Sequence, residues 1–177
     1  MPSSQSSDFS DNENNEVTTE TSARAGRLIT GPTGQPMIVK VDSQASRGAY
    51  SLFEYSHAAG AAGPPAHIHA FHEEAFYIME GQLTLTIDDQ IITLSPGECW
   101  VVPRGSIHRP SNRSDRPVRY LIISSPPMDA FFTAMSDLVN ATAGEPSKEA
   151  LNELADRYDS TFVDLPETST IKLHNEA

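Results

Sequence analysis

The chain has a single cysteine, Cys99, in 177 residues. No disulfide can form within it, which excludes a small secreted scaffold held together by cystines. Cations are also scarce: 12 Lys and Arg stand against 24 Asp and Glu, for a net charge of −12. No basic cluster offsets that balance, so neither nucleic acid nor an anionic membrane is an expected partner. No helix-turn-helix or other DNA-reading pattern is present. No apolar run reaches the length of a membrane span, and no basic segment followed by an apolar stretch marks a secretory leader. A cytoplasmic location is the expectation. Residues 1–26 are nearly devoid of apolar groups, with only Phe9 and Val17 of any size. Such a stretch cannot bury enough surface to offset its ordering entropy and reads as a disordered acidic and polar tail. Internal repeats are lacking too.

What is present is a series of short apolar strands punctuated by turns. Leu28–Thr30, Met37–Val41 and residues 49–56 are the first three. Gly31-Pro32-Thr33-Gly34 is turn chemistry between the first two, and Ala58–Pro65 is a loop rich in Ala, Gly and Pro. Ala75–Met79, Gln82–Ile87, Ile91–Leu94, Cys99–Val102 and Val118–Ser124 follow, separated by Glu80-Gly81, Asp88-Asp89-Gln90, Pro96-Gly97 and Pro103-Arg104-Gly105. Gln82–Ile87 alternates apolar and polar residues as a half-buried strand does. Many short strands at regular spacing predict an all-β sandwich or barrel. Cys99 lies in the apolar run Cys99-Trp100-Val101-Val102 and reads as a buried structural thiol, not a nucleophile.

The period changes near the C-terminus. Phe131, Phe132, Met135, Leu138 and Val139 share one helical face. A second helix starts after Pro146 with Ser147 as its N-cap and carries the stripe Leu151, Leu154, Ala155 and Tyr158. Both helices would cover the open side of the strands, as a plain cover or as a gate. The organisation expected is a tail at 1–26, a β domain at 27–125, a helical cover at 126–166 and a loose tail at 167–177.

Chemistry concentrates in the histidines. His67, His69 and His72 crowd one short stretch beside Glu73 and Glu74, and His108 ends a distant strand-turn unit. On extended chain, residues i and i+2 face the same side, so His67 and His69 can both point inward. Imidazoles with one carboxylate suit a divalent first-row metal that keeps a position open. His72 is a candidate for the pocket mouth or for supporting the ligands. His57 and His174 read as surface residues.

The pattern resembles the cupin superfamily. Its first motif, G-x5-H-x-H-x3,4-E-x6-G, is met by His67, His69, Glu74 and Gly81, with Ala61 in place of the leading glycine and Gly60 and Gly63 beside it. Its second motif, G-x5-P-x-G-x2-H-x3-N, is met by Gly97, Pro103, Gly105, His108 and Asn112. The resemblance implies an all-β fold, a double-stranded antiparallel β-barrel of jelly-roll type, with two C-terminal α-helices added here. It also implies His67, His69, Glu74 and His108 as ligands of one divalent transition metal per chain: Ni, Fe, Mn, Co or Zn. Glu73 is a rival ligand, and the six residues between Glu74 and Gly81 favour Glu74.

Residues from about 27 to 166 further resemble small single-domain cupins of the bacterial quercetin 2,3-dioxygenase type, through Pro64-Pro65-Ala-His-Ile-His, Glu74-Ala-Phe-Tyr-Ile-Met-Glu-Gly81 and Leu154-Ala-Asp-Arg-Tyr158. That likeness implies a metal-dependent dioxygenase acting with O2 on an enolic or flavonol-like aromatic, with Glu74 as both ligand and catalytic base. Strand parity places Phe76 and Ile78 at a substrate pocket, with Trp100, Val102, Phe53 and Tyr55 as further candidates. Two other classes stay open: a non-oxidative metal enzyme (isomerase, cyclase or decarboxylase) and a non-catalytic module that binds a metal or small molecule. The resemblance also implies a homodimer, to which residues 28–41 could contribute an exchanged strand.

Overall fold

The computed structural model describes residues 26–142 and 145–164. The tails read at 1–26 and 167–177, His174 included, lie outside the described residues apart from Gly26. Eleven strands and two helices follow in order: β1 Arg27–Thr30, β2 Pro36–Val41, β3 Ser51–His57, β4 His67–Ile68, β5 Glu73–Glu80, β6 Leu83–Ile87, β7 Gln90–Leu94, β8 Cys99–Val102, β9 His108–Ser111, β10 Val118–Ser125, α1 Asp129–Ala141, α2 Lys148–Ala155 and β11 Thr161–Phe162.

The strands form two antiparallel sheets. One runs β1-β2-β3-β10-β5-β8 and the other β11-β4-β9-β6-β7. This is the expected jelly-roll, with one correction: among the described residues no pairing joins the two sheets, so they form a sandwich and not a closed barrel. The reason lies at the edges, because β1, β8, β7 and β11 each have a neighbour on one side only. Strict alternation selects the inner faces. On β10, Val118, Tyr120, Ile122 and Ser124 are buried and the intervening residues are not. On β3, Phe53 and Tyr55 point inward, directly opposite Ile122 and Tyr120. Phe76 and Ile78 of β5 join them, and Leu83, Leu85 and Ile87 of β6 complete one core between the sheets. Each large side chain fully buried in this way contributes about 1.5–3 kcal/mol.

Two glycines fix how loops approach the core. Gly81 has φ +75°, and a Cβ there would lie 2.3 Å from the carbonyl oxygen of Pro117. Gly63 has φ +77°, and its Cβ would lie 1.8 Å from the carbonyl oxygen of Pro110 on β9. Only glycine lets the 58–65 loop press this closely onto the sheet. Close approach therefore needs glycine at 63, while Ala61 is tolerated at the position where the motif has one.

Helix α1 buries Phe131, Phe132, Met135 and Ser136. The Phe132 ring meets Phe53 edge-on at 4.7 Å, and the Ser136 hydroxyl accepts the Thr30 backbone N–H at 2.9 Å, tying the helix to β1. Helix α2 begins as its sequence predicts: the Ser147 side chain accepts the Ala150 N–H at 3.2 Å. Among the described residues no helix is long and apolar enough to cross a membrane.

Candidate metal centre

Three separate elements bring four ligating groups together. Strand β4 pairs with β9 so that His67 stands directly opposite His108. His69 follows β4 by one residue, and Glu74 points inward from β5 with Phe76 and Ile78. One nitrogen from each of His67, His69 and His108 and one Glu74 oxygen all lie within 4.8 Å of one another. Ligand atoms about 2.1 Å from a common ion can be at most about 4.2 Å apart. The four groups are thus close enough that modest side-chain adjustments would bring them onto one ion.

Hydrogen bonds hold the rings for that purpose. His67 Nδ1 donates to the Pro65 carbonyl at 2.9 Å and His108 Nδ1 to the Ser106 carbonyl at 3.1 Å, in each case two residues back along the chain. His69 Nδ1 donates to the Asp159 carbonyl at 2.9 Å, with the Ser160 hydroxyl 3.2 Å away. With Nδ1 protonated in His67 and His69, Nε2 of each carries the lone pair that a metal needs, while His108 turns its Nε2 toward Glu74. Burial pushes the His67 imidazole down to about 3, helped by the neighbouring His108 and His69, and burial also lowers His69. Both are neutral at physiological pH, which is the ligating form. Glu74 is 4% exposed and His108 1%. Burial alone would raise the Glu74 carboxyl. The hydrogen bond from His108 and the fields of His69, His108 and His67 more than reverse this and hold it below the usual carboxylate range. Its Oε2 lies 3.2 Å from His108 Nε2, and its Oε1 accepts from the Ser124 hydroxyl at 3.3 Å. Three imidazoles and one carboxylate form a donor set that fits a divalent transition metal.

The strand register separates Glu74 from its rival. Glu73 lies on the opposite face of β5, half exposed, and pairs with Arg104 Nε at 3.0 Å. His72 stays outside the ligand group and donates from Nδ1 to Asp159 at 2.6 Å. Two readings from the sequence are corrected here. His57 is not a surface residue: it has no exposed surface. Its ring packs edge-on against Tyr55 and Tyr120, Nε2 lies 3.3 Å from the Tyr120 hydroxyl, and burial pushes it down to about 4. The signal was available, since His57 shares parity with Phe53 and Tyr55 on β3. Cys99 is exposed, not buried. It stands on the outer side of edge strand β8, opposite Tyr77.

Glu74, His67 and His69 lie on the wall of a cavity of about 690 Å³. Of the six residues expected at a substrate pocket, Tyr55 and Phe76 line it. Phe53, Ile78 and Val102 are buried in the core behind it. Trp100 is 37% exposed and is not among the residues lining this cavity; among the described residues no strand covers edge strand β8 on its far side. The rest of the apolar wall comes from Tyr120 and Ile122 on β10, Phe131, Phe132 and Met135 on α1, Leu151 on α2 and Phe162 on β11. Sequence reasoning left these out of the pocket, although the helical face of α1 and the alternation of β10 both pointed inward.

Residues 53–124 match the family model described as a cupin domain. A 42-residue stretch, 24% of this chain, is 45% identical to 12% of quercetin 2,3-dioxygenase from Bacillus subtilis (strain 168). A 60-residue stretch, 34% of this chain, is 33% identical to 40% of the tetracenomycin polyketide synthase protein TcmJ of Streptomyces glaucescens. The chain thus spans two fifths or less of the length of these curated relatives. Among solved structures it resembles KdgF from Halomonas sp., with 20% identity, a TM-score of 0.48 and coverage of 55% of this chain and 84% of that one.

Proposed function

We propose that the chain, whose residues 53–124 match a cupin domain, is a metal-dependent dioxygenase of the cupin superfamily that oxidises an enolic, flavonol-like aromatic with O2. One observation carries the reading: His67, His69, Glu74 and His108 cluster together, and the first three lie on the wall of a cavity whose other walls are largely aromatic and aliphatic. The segment similar to a quercetin 2,3-dioxygenase points to the same chemistry.

His67, His69, Glu74 and His108 hold one divalent transition metal, with Ni, Fe, Mn and Co each compatible with the donors. When bound, the metal lowers the pKa of a coordinated hydroxyl and makes an enolic ligand electron-rich toward O2. The protein's own residues do the remainder. Glu74, ionised and buried, accepts the hydroxyl proton, and His108 and Ser124 fix the orientation of its carboxylate. Phe76, Ile122, Phe131 and Phe132 bind the aromatic body and keep water out. Both atoms of O2 end in the cleaved product, so no external reductant is required.

The likeness to a polyketide synthase protein favours a second reading. In that case the same site acts as a Lewis acid on an aromatic intermediate, as an isomerase, cyclase or decarboxylase, without consuming O2. Oxygen uptake separates the two. The full chain reconstituted with each metal and given quercetin should consume O2 in proportion to metal content, and Glu74→Gln should lower the rate by about 100-fold or more. Turnover of an aromatic substrate with no oxygen consumed would overturn the dioxygenase reading in favour of the second. A homodimer is part of the proposal. It is supported by Tyr77, Trp100 and Val101, exposed apolar groups on β5 and its edge neighbour β8, and by Leu28, 68% exposed on edge strand β1. A monomer in sedimentation at micromolar concentration would count against it.

A further inference from the structure

We infer that the turn Tyr158-Asp159-Ser160 belongs to the metal centre, with Asp159 as a positioning residue for His69, so that metal binding and docking of the C-terminal segment reinforce one another. The inference rests on the metal reading above and is independent of the O2 chemistry.

The three histidines are not held alike. His67 and His108 take their Nδ1 acceptors from their own strands, two residues back. His69 alone takes its acceptor from a distant part of the chain, the Asp159 carbonyl. That carbonyl is placed by the Asp159 side chain, which reaches across to the loop after His69. One carboxylate oxygen accepts the Ala70 N–H at 3.1 Å, and the other accepts the Phe71 N–H at 2.8 Å and His72 Nδ1 at 2.6 Å. One residue thus grips three consecutive positions beside a ligand and orients the ligand itself. Its backbone is in the left-handed region at φ +49°, a conformation that Asp tolerates better than most residues but that still costs energy. The turn is also clamped on both sides. Helix α2 precedes it, and β11 follows, pairing Phe162 with His67, while the Val163 N–H reaches the Ala66 carbonyl at 2.9 Å. The segment carrying Leu151 and Phe162 to the cavity wall is therefore the one that sets the His69 ring.

Partners that fix a ligating imidazole are worth about 10–100-fold in metal affinity. Linkage makes the effect reciprocal: whatever factor docking adds to metal affinity, the metal adds to docking. The test uses the full chain and cobalt(II) alone, read by absorption titration and by hydrogen exchange. Asp159→Gly removes the carboxylate while suiting the positive φ. Asp159→Asn keeps the turn and one acceptor oxygen. Ile92→Ala, in the core on β7, is the control for lost stability. Asp159→Gly should weaken cobalt binding about 10–100-fold and alter the visible spectrum of bound cobalt, with partial recovery in Asp159→Asn. In the wild type, cobalt should slow exchange at Ala70, Phe71 and residues 158–163, and in Asp159→Gly that protection should vanish. Cobalt affinity in Asp159→Gly within about threefold of wild type, with an unchanged spectrum, would overturn the inference. So would an equal loss of affinity in Ile92→Ala. A wild-type chain that binds no metal would remove both this inference and the metal centre. A chain whose cobalt binding depends on Asp159 as described but that consumes no O2 would remove only the dioxygenase reading.

Discussion

Replacing His57 with Gln should make the metal-free protein markedly more tolerant of mild acid. His57 is fully buried among Tyr55 and Tyr120, and burial depresses its imidazole to about 4, against 6.5 for an ordinary histidine. The unfolded chain therefore binds a proton through the interval from 6.5 down to 4 that the folded chain refuses. Stability above 6.5 is unaffected by this group and is lost as pH falls through the interval. At pH 5 the unfolded state is about 30-fold favoured by this one proton, which is about 2 kcal/mol, while at pH 7 the effect is under about 0.2 kcal/mol. The assay is urea unfolding at pH 7 and pH 5 with a chelator present. His67, lowered by its own burial, adds to the acid loss in both proteins. The difference between wild type and His57→Gln isolates the His57 contribution, and wild type should lose about 2 kcal/mol more than the variant between the two pH values. Equal losses would mean that His57 titrates normally and would refute its placement in the core.

Other outcomes follow from the packing. Gly63→Ala should destabilise the fold by about 2–4 kcal/mol, since both the left-handed backbone and the approach to Pro110 resist a Cβ, and thermal melting reads it directly. Phe132→Ala should weaken binding of a flavonol probe such as quercetin by about tenfold or more, because its ring is part of the cavity wall. Trp100→Ala should leave that affinity within about twofold of wild type, and fluorescence titration of the two variants compares them. A larger effect at Trp100 than at Phe132 would mean that the binding site lies elsewhere.

The strands and the clustering of His67, His69, Glu74 and His108 were legible because each has a local signature. Alternation marked β6 and β10, turn residues marked their ends, and His67-Ile-His69 displayed the period of an extended chain. Glu74 was separated from Glu73 by its distance to Gly81, and the register of β5 agrees, with Glu74 inside and Glu73 paired to Arg104 outside. The failures concern information that is not local. Cys99 and Trp100 look like core residues in an apolar run, yet β8 is an edge strand, and only the order of strands in the sheet reveals that. Asp159 looks like an ordinary polar turn residue, and its contacts with Ala70, Phe71 and His72 span nearly ninety positions. His57 is different, because its parity with Tyr55 was in plain view and pointed to the core. Closure of the sheets could not be read from strand count, since a sandwich and a barrel share the same alternation.

The most direct test of the account is the metal content of the purified full chain beside that of His108→Ala. His108 is 1% exposed and opposes His67 across β4 and β9, so its loss removes one ligand and the hydrogen bond to Glu74. The account predicts about one divalent transition metal per wild-type chain, and in the folded variant a loss of about 100-fold or more in affinity. A wild-type chain that takes up no metal after reconstitution with Ni, Fe, Mn, Co or Zn would contradict it.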